Sequence, residues 1–153
     1  MKMEGNDWFY TGEVKKHFLK PVKFLKNEKE IKDFDGHGKV GNMKCGDMME
    51  MWIKVSKDKI KDVRWKTFGC ASAIASTSML AQMLTEKGGM PLSKALKLNG
   101  RNIMDRLGGL PAIKIHCSVL GDQALRAAIY DYAQKNDRKD LNVEKPSEEE
   151  HAH

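Results

Sequence analysis

Between Asp47 and Thr67 the side chains change character at every step. Met49, Met51, Ile53 and Val55 alternate with Glu50, Trp52 and Lys54; after the polar stretch SKDK, Val63, Trp65 and Thr67 alternate with Arg64 and Lys66. A period of two sends alternate side chains to opposite faces. Two such runs joined by a polar turn make an antiparallel hairpin with one face buried. A turn centred on Lys57 and Asp58 opposes residues whose numbers sum to 115, whereas matching the apolar sides, Ile53 to Val63 and Met51 to Trp65, requires 116. The register is therefore open by one, or a bulge intervenes. In either case Cys45 and Cys70, which flank the two runs, meet at the open end of the hairpin, where opposed Cα atoms lie roughly 4.5–5.5 Å apart.

Downstream the period lengthens. CASAIASTSMLAQML puts Ile74, Ala81 and Leu84 on one side of a helix that Gly88 and Gly89 stop; PLSKALKLNG opens at Pro91 and closes at Gly100; NIMDRL makes a further short turn of helix. SVLGDQALRAAIYDYAQK then places Leu125, Ala128, Ile129 and Tyr132 on one face. Upstream, a short helix is expected to about Lys20, followed by a long lysine-rich surface loop containing Pro21 and the glycine-punctuated DGHGKVG. Strands followed by helices predict an α+β fold: a small hairpin-based antiparallel sheet of two to three strands packed against several C-terminal helices, with a short N-terminal helix. The expected organisation is an N-terminal helix and basic loop over 1–38, part of the domain or partly mobile, a folded domain over 39–135, and a disordered polar tail over 136–153.

The chain has 153 residues and 41% hydrophobic content, enough for one domain with a real core. No apolar run nears the roughly 18 residues of a membrane span, and the N-terminus has no apolar signal core, so a cytoplasmic protein is expected. The net charge of +6 is concentrated in residues 39–135, where 16 bases face 8 acids. These bases are scattered and lack interleaved aromatics, which favours an acidic protein partner over nucleic acid. Neither a phosphate-binding loop nor a dinucleotide fingerprint is present.

Three cysteines, Cys45, Cys70 and Cys117, are too few and too odd in number for a disulfide scaffold, and point to free thiols in a reducing compartment. Cys70 and Cys117 each begin a helix, whose N-terminal N–H groups favour the thiolate. Asp47, two residues after Cys45, and His116, beside Cys117, add a carboxylate and an imidazole. Such a set suits a four-coordinate site for a soft or borderline metal. Taken singly, each residue also fits a bland role: Cys70 a packed core thiol, Asp47 a strand entry, His116 a half-buried core histidine. No C-x-x-C spacing decides between these readings.

The segments GKVGNMKCGDMM, DVRWKTFGCASAIASTSML and LPAIKIHCSVLGDQALRAAIYDY resemble, in the same order, the IscU-type iron–sulfur scaffold proteins, the family that includes the N-terminal part of NifU. The resemblance spans about residues 10–135. It implies that Cys45, Cys70 and Cys117 are cluster ligands, that Asp47 and His116 complete the set, and that Cys117 accepts persulfide sulfur. It further implies a transient [2Fe–2S] cluster built from iron and from sulfur delivered by a cysteine desulfurase, with zinc as an alternative occupant of the cluster-free form. Electrons would come from a ferredoxin, a frataxin-like protein would assist, and transfer to acceptor apoproteins would be helped by an Hsp70-type chaperone with its J-protein.

On this resemblance the chain is a scaffold and carrier, not an enzyme, either monomeric or homodimeric. The family's chaperone-recognition segment reads L-P-P-V-K. Here Leu110, Pro111, Ala112, Ile113 and Lys114 stand in its place, and Ala112 removes the rigidity of the second proline. The alternative within the same superfamily is the zinc-dependent sulfurtransferase branch, SufU. That branch carries an insertion between the first two cysteines and lacks the histidine before the third; here the gap is short and His116 is present.

Overall fold

The computed structural model describes residues 16, 17, 19–42, 47–67, 71–98, 100–107, 115–141 and 143. Among these residues four antiparallel strands lie in chain order: β1 (Gly36–Asn42), β2 (Asp47–Ser56), β3 (Lys59–Thr67) and β4 (Met90–Pro91). Residues 16, 17 and 19 are helical, where the short N-terminal helix was expected, and after β3 the helices among the described residues are α1 (Ala71–Thr85), α2 (Leu92–Ala95), α3 (Gly100–Leu107) and α4 (Ile115–Lys135). This is the expected α+β class, with a sheet one strand larger than the two to three expected.

The central hairpin uses both registers. From Met49↔Thr67 to Lys54↔Asp62 the pairs sum to 116, and after a bulge at Lys54/Val55 they sum to 115, at Val55↔Ile60 and Ser56↔Lys59. The turn residues Lys57 and Asp58 have φ of 52° and 60°, the left-handed pair of a two-residue type I′ turn that matches strand twist. The bulge lets this turn coexist with apolar pairing of Met51 against Trp65 and Ile53 against Val63, all of them fully buried.

The stretch DGHGKVG, expected as loop, is the edge strand β1. Its glycines mark a close approach and not a turn. A Cβ on Gly38 would sit 2.5 Å from Ala128 N and 2.7 Å from Ala127 Cβ, and one on Gly36 would sit 3.1 Å from Tyr132 Cβ. Helix α4 therefore lies directly on β1, with the small residues Ala124, Ala127 and Ala128 on its buried side. The core forms between the inner face of the sheet and α1 and α4, with Met49, Met51, Ile53, Trp65, Leu80, Leu84, Leu125 and Ile129 fully buried. Burial of side chains of this size stabilises by about 1.5–3 kcal/mol each before the entropy of ordering is counted.

Part of the expected surface loop is also tied down. Phe24 bridges to Trp65, with Leu25 N donating to the Trp65 carbonyl at 2.8 Å, Trp65 Nε1 donating to the Val22 carbonyl at 2.8 Å, and the Phe24 and Trp65 rings meeting edge to face at 5.0 Å. These contacts cover the edge of β3 that the two-residue β4 leaves open, which is how a sheet avoids a free edge. Asn27 caps a short 3-10 turn (Glu28–Ile31) in a capping box with Glu30, and Glu30 reaches Arg64 of β3 at 3.3 Å.

Gly88 and Gly89 have φ of 83° and 103° and end the α1 segment as expected. The next helix is shorter than the sequence suggests: Met90 and Pro91 pair with Ile60 and Lys59 as β4, α2 covers one turn, and Gly100 opens α3 where a closing glycine was expected. Polarity places the end of the ordered domain at Lys135. The chain instead continues through a 3-10 turn (Lys139–Leu141), and Leu141 and Val143 pack against the core. Arg138 holds this segment by a two-pronged pair to Asp58 at 2.7 and 3.0 Å. Among the described residues no helix is long and apolar enough to cross a membrane.

Candidate metal centre at one end of the sheet

The glycines of β1 allow the ends of the elements to be placed. Gly36 faces Ala128 and Tyr132, and Gly38 faces Ala124, Ala127 and Ala128, so β1 runs antiparallel along α4. From Gly38 to Asn42 the strand rises about 13 Å at roughly 3.3 Å per residue. The same distance along the helix is about nine residues at 1.5 Å each. Asn42 therefore stands level with the first turn of α4, where the backbones of His116 and Cys117 lie.

Asn42 pairs with Asp47, the first residue of β2, which brings the backbone of Asp47 to the same end. Thr67, the last residue of β3, pairs with Met49, and its hydroxyl donates to the Met48 carbonyl at 2.5 Å. This locks the start of β2 to the end of β3. Only three residues separate Thr67 from the start of α1 at Ala71, so α1 also begins here. Farther in, Gly121 of α4 packs on α1, with room for a Cβ only 3.1 Å from Thr77 Oγ1 and 3.2 Å from Leu80 Cδ2.

Of the residues singled out from the sequence, Cys45 and Cys70 lie outside the described residues, as do Leu110, Pro111, Ala112, Ile113 and Lys114. For Asp47, His116 and Cys117 the backbone is described. Cys45 falls in the connection between the paired residues Asn42 and Asp47, Cys70 immediately before α1, and Cys117 is the third residue of α4. Thus the described flanks of all three cysteine segments share one end of the sheet. A helix N-terminus at such a place offers partial positive charge to thiolates, and carboxylate and imidazole, the side-chain types of Asp47 and His116, are donors that iron and zinc accept.

The outer face of the sheet nearby carries a polar cluster. His37 Nε2 is 2.6 Å from Glu50 Oε2, its ring stacks on Trp52 with centroids 5.2 Å apart, and Lys66 lies 3.7 Å from the same carboxylate. Farther along this face, Asp62 is held below the usual aspartate range: partial burial pushes it up, but the Lys23 ammonium, the Val63 N–H and the Arg64 guanidinium together outweigh that.

Reading by residue type overlooked Gly36 and Gly38, which set how closely α4 lies on β1 and so where its first turn falls. In GHGKV the two glycines would share one face of a strand, but the same residues also suit a turn, so the sequence did not choose between them.

The comparisons with known proteins agree with this architecture. The family model for the NifU-like N-terminal domain matches residues 9–139. The iron-sulfur cluster assembly scaffold protein IscU 1 of Archaeoglobus fulgidus is 43% identical over 143 residues, covering 91% of this chain and 89% of the relative. The IscU scaffold protein of Aquifex aeolicus is 47% identical over 131 residues, covering 84% and 79%. Among solved structures, a NifU-like N-terminal protein from Brucella abortus superposes with a TM-score of 0.60 over 84% of this chain and 97% of its own; at 16% identity it speaks for the fold alone. With the family model spanning most of its length and scaffold relatives above 40% identity, the chain belongs to the NifU-like N-terminal domain family.

Proposed function

We propose that this protein is a scaffold on which a transient [2Fe–2S] cluster is assembled and from which it is passed to acceptor apoproteins. The observation that carries the reading is the convergence of the strand ends and helix starts flanking Cys45, Cys70 and Cys117 at one end of the sheet, in a chain related to proteins named as cluster scaffolds. Cys45, Cys70 and Cys117 are the thiolate ligands, with Asp47 and His116 as exchangeable fourth donors.

Cys117 receives sulfur. Its thiolate attacks the outer sulfur of a desulfurase persulfide; the new S–S bond forms on Cys117 and the desulfurase leaves as thiolate. Converting two such sulfurs to sulfide takes four electrons. Two come from oxidation of two ferrous ions and two from a one-electron carrier such as a ferredoxin. Three thiolates with an oxygen or imidazole donor hold iron less firmly than four thiolates, the usual set of a resident cluster. A recipient thiol can then displace the weakest donor, and the cargo leaves.

The remaining partners in this reading are a frataxin-like protein and an Hsp70-type chaperone with its J-protein, which would meet the segment Leu110 to Lys114, all in a reducing compartment such as the cytoplasm. Zinc is an alternative occupant of the cluster-free site. Anaerobic reconstitution with ferrous iron, cysteine, a cysteine desulfurase and a one-electron reductant such as a reduced ferredoxin tests the function. The expected result is visible charge-transfer absorption with iron and acid-labile sulfide in equal amounts. Tightly held zinc with persulfide on the protein and no cluster would overturn it in favour of zinc-dependent sulfur transfer.

A further inference from the structure

The opposite end of the sheet carries an open groove that the scaffold chemistry does not use, and its role is independent of that chemistry. The groove measures about 790 Å³, in the range of pockets that hold drug-sized ligands, about 300–1,000 Å³. Met83 and Leu98 line its buried side, while Lys59, Lys87, Lys94 and Lys97 line it with exposed side chains. Its remaining charges are Glu86, Asp105 and Arg106. Among the described residues five cations against two carboxylates leave +3, and Glu86 is already engaged by Arg106 through bonds of 2.9 and 3.1 Å.

The C-terminal segment is anchored beside this groove. Arg138 clamps Asp58, the Asp58 carbonyl accepts from Leu92 N at 2.9 Å, and the next residue, Lys59, pairs with Pro91. Lys59 and Pro91 are both groove residues. Beyond Val143, residues 144–150 read EKPSEEE, four acids to one base. An extended chain spans at most about 3.3–3.6 Å per residue, so Glu149 is within roughly 20 Å of Val143.

We propose that the acidic run Glu148, Glu149 and Glu150 docks in this groove, its carboxylates set against Lys59, Lys87, Lys94 and Lys97. Tethering makes the contact intramolecular, with an effective concentration in the millimolar range for a short linker. The pairs are solvent-exposed and are therefore screened by salt. An external acidic segment reaches the groove only in competition with the tail.

Backbone amide NMR of the full chain tests this. E148Q/E149Q/E150Q should shift the amides of Lys59, Lys87, Lys94 and Lys97, and about 0.5 M salt should abolish the difference between the two proteins, since the Debye length is then only a few ångströms. The charge-reversed pair K94E/K97E should move the resonances of residues 144–150, and combining it with E148K/E149K/E150K should restore the original pattern. A hexaglutamate peptide added in trans should bind the E148Q/E149Q/E150Q protein at least about threefold more tightly than the parent, because no tethered competitor has to be displaced. Shifts confined to residues 144–153, or equal peptide affinity for both proteins, would overturn the proposal; peptide binding in the groove with no response to the tail would assign it to a partner's acidic segment instead.

Discussion

The two ends of the sheet are built on opposite plans. At the hairpin end, Lys57 and Asp58 turn tightly, β4 pairs with β3, and Arg138 holds Asp58 with one side of its guanidinium and Asp140 with the other. Side chains there tie the turn and the C-terminal segment together. At the other end the strands finish at Asn42, Asp47 and Thr67, α1 and α4 begin, and the cysteine-bearing connections join them. The first end uses its polar groups to tie the chain to itself; at the second, Cys45 and Cys70 fall on connections between rigid elements, where binding and catalytic groups concentrate, and Asp47, His116 and Cys117 fall in the first residues of β2 and α4. A scaffold that must release its cargo needs this division, since the frame has to stay fixed while the ligands exchange.

The largest expected effect of a single change falls at the open end. Cys117→Ser should abolish formation of a stable cluster in anaerobic reconstitution, read as loss of visible absorption, while far-UV circular dichroism stays unchanged. A cluster of parental yield in this variant would remove Cys117 from both assigned roles.

Next comes the contact that sets the position of the site. Gly38→Val places a branched side chain where the Ala127 and Ala128 atoms lie within 2.7 Å of a Cβ, and overpacking of this kind costs about 1–3 kcal/mol. The urea midpoint should fall accordingly, and reconstituted cluster should be lost faster, because α4 is pushed away from β1. An unchanged midpoint would show that the helix does not rest on this glycine.

A smaller effect is expected from Asp47→Ala. Cluster transfer to an apo-ferredoxin should slow several-fold and the bound cluster should persist longer; faster loss of cluster absorbance in the variant would count against an exchange role for the carboxylate.

The smallest effect belongs to the hairpin end. The Arg138 guanidinium holds Asp58 and Asp140 below their ordinary value of 3.8, Arg106 lowers Glu86, and backbone N–H groups of Lys26 and Asn27 lower Glu30. A depressed folded-state value means that the carboxylate stabilises the fold above its unfolded value and loses that contribution as the pH falls through the folded one. Stability should therefore be level at neutral pH and decline below about pH 4, and Arg138→Ala should flatten the acid limb of the melting-temperature profile with little change at neutral pH. An undiminished acid limb would show that the clamp contributes nothing measurable, the common outcome for exposed pairs.

Much of this was readable from local pattern. The alternation of residues 49–67 specified the hairpin and its buried face, and the spacing of Leu125, Ala128, Ile129 and Tyr132 specified α4. Even the ambiguity of the hairpin register was informative, because one sum holds on one side of the bulge and the other sum on the other side. The candidate ligands were named by residue type and family resemblance, and the fold supplies the common end of the sheet that relates their segments.

Other features had no local signature. In the sequence the glycines of GHGKV look like turn residues, because the same missing Cβ serves a turn or a close helix contact; only α4, more than 80 residues later, decides between them. Arg138 and Asp58 are likewise 80 positions apart, and nothing in a polar tail announces which distant carboxylate will hold it. The sequence alone determined the periodic elements, the class of fold and the residue types available to a metal, since each depends on neighbours along the chain. The tertiary structure decided which glycines form a strand, that Leu141 and Val143 pack on the core, and that five separate element ends lie at one end of the sheet, because those outcomes depend on surfaces that meet only when the chain is folded.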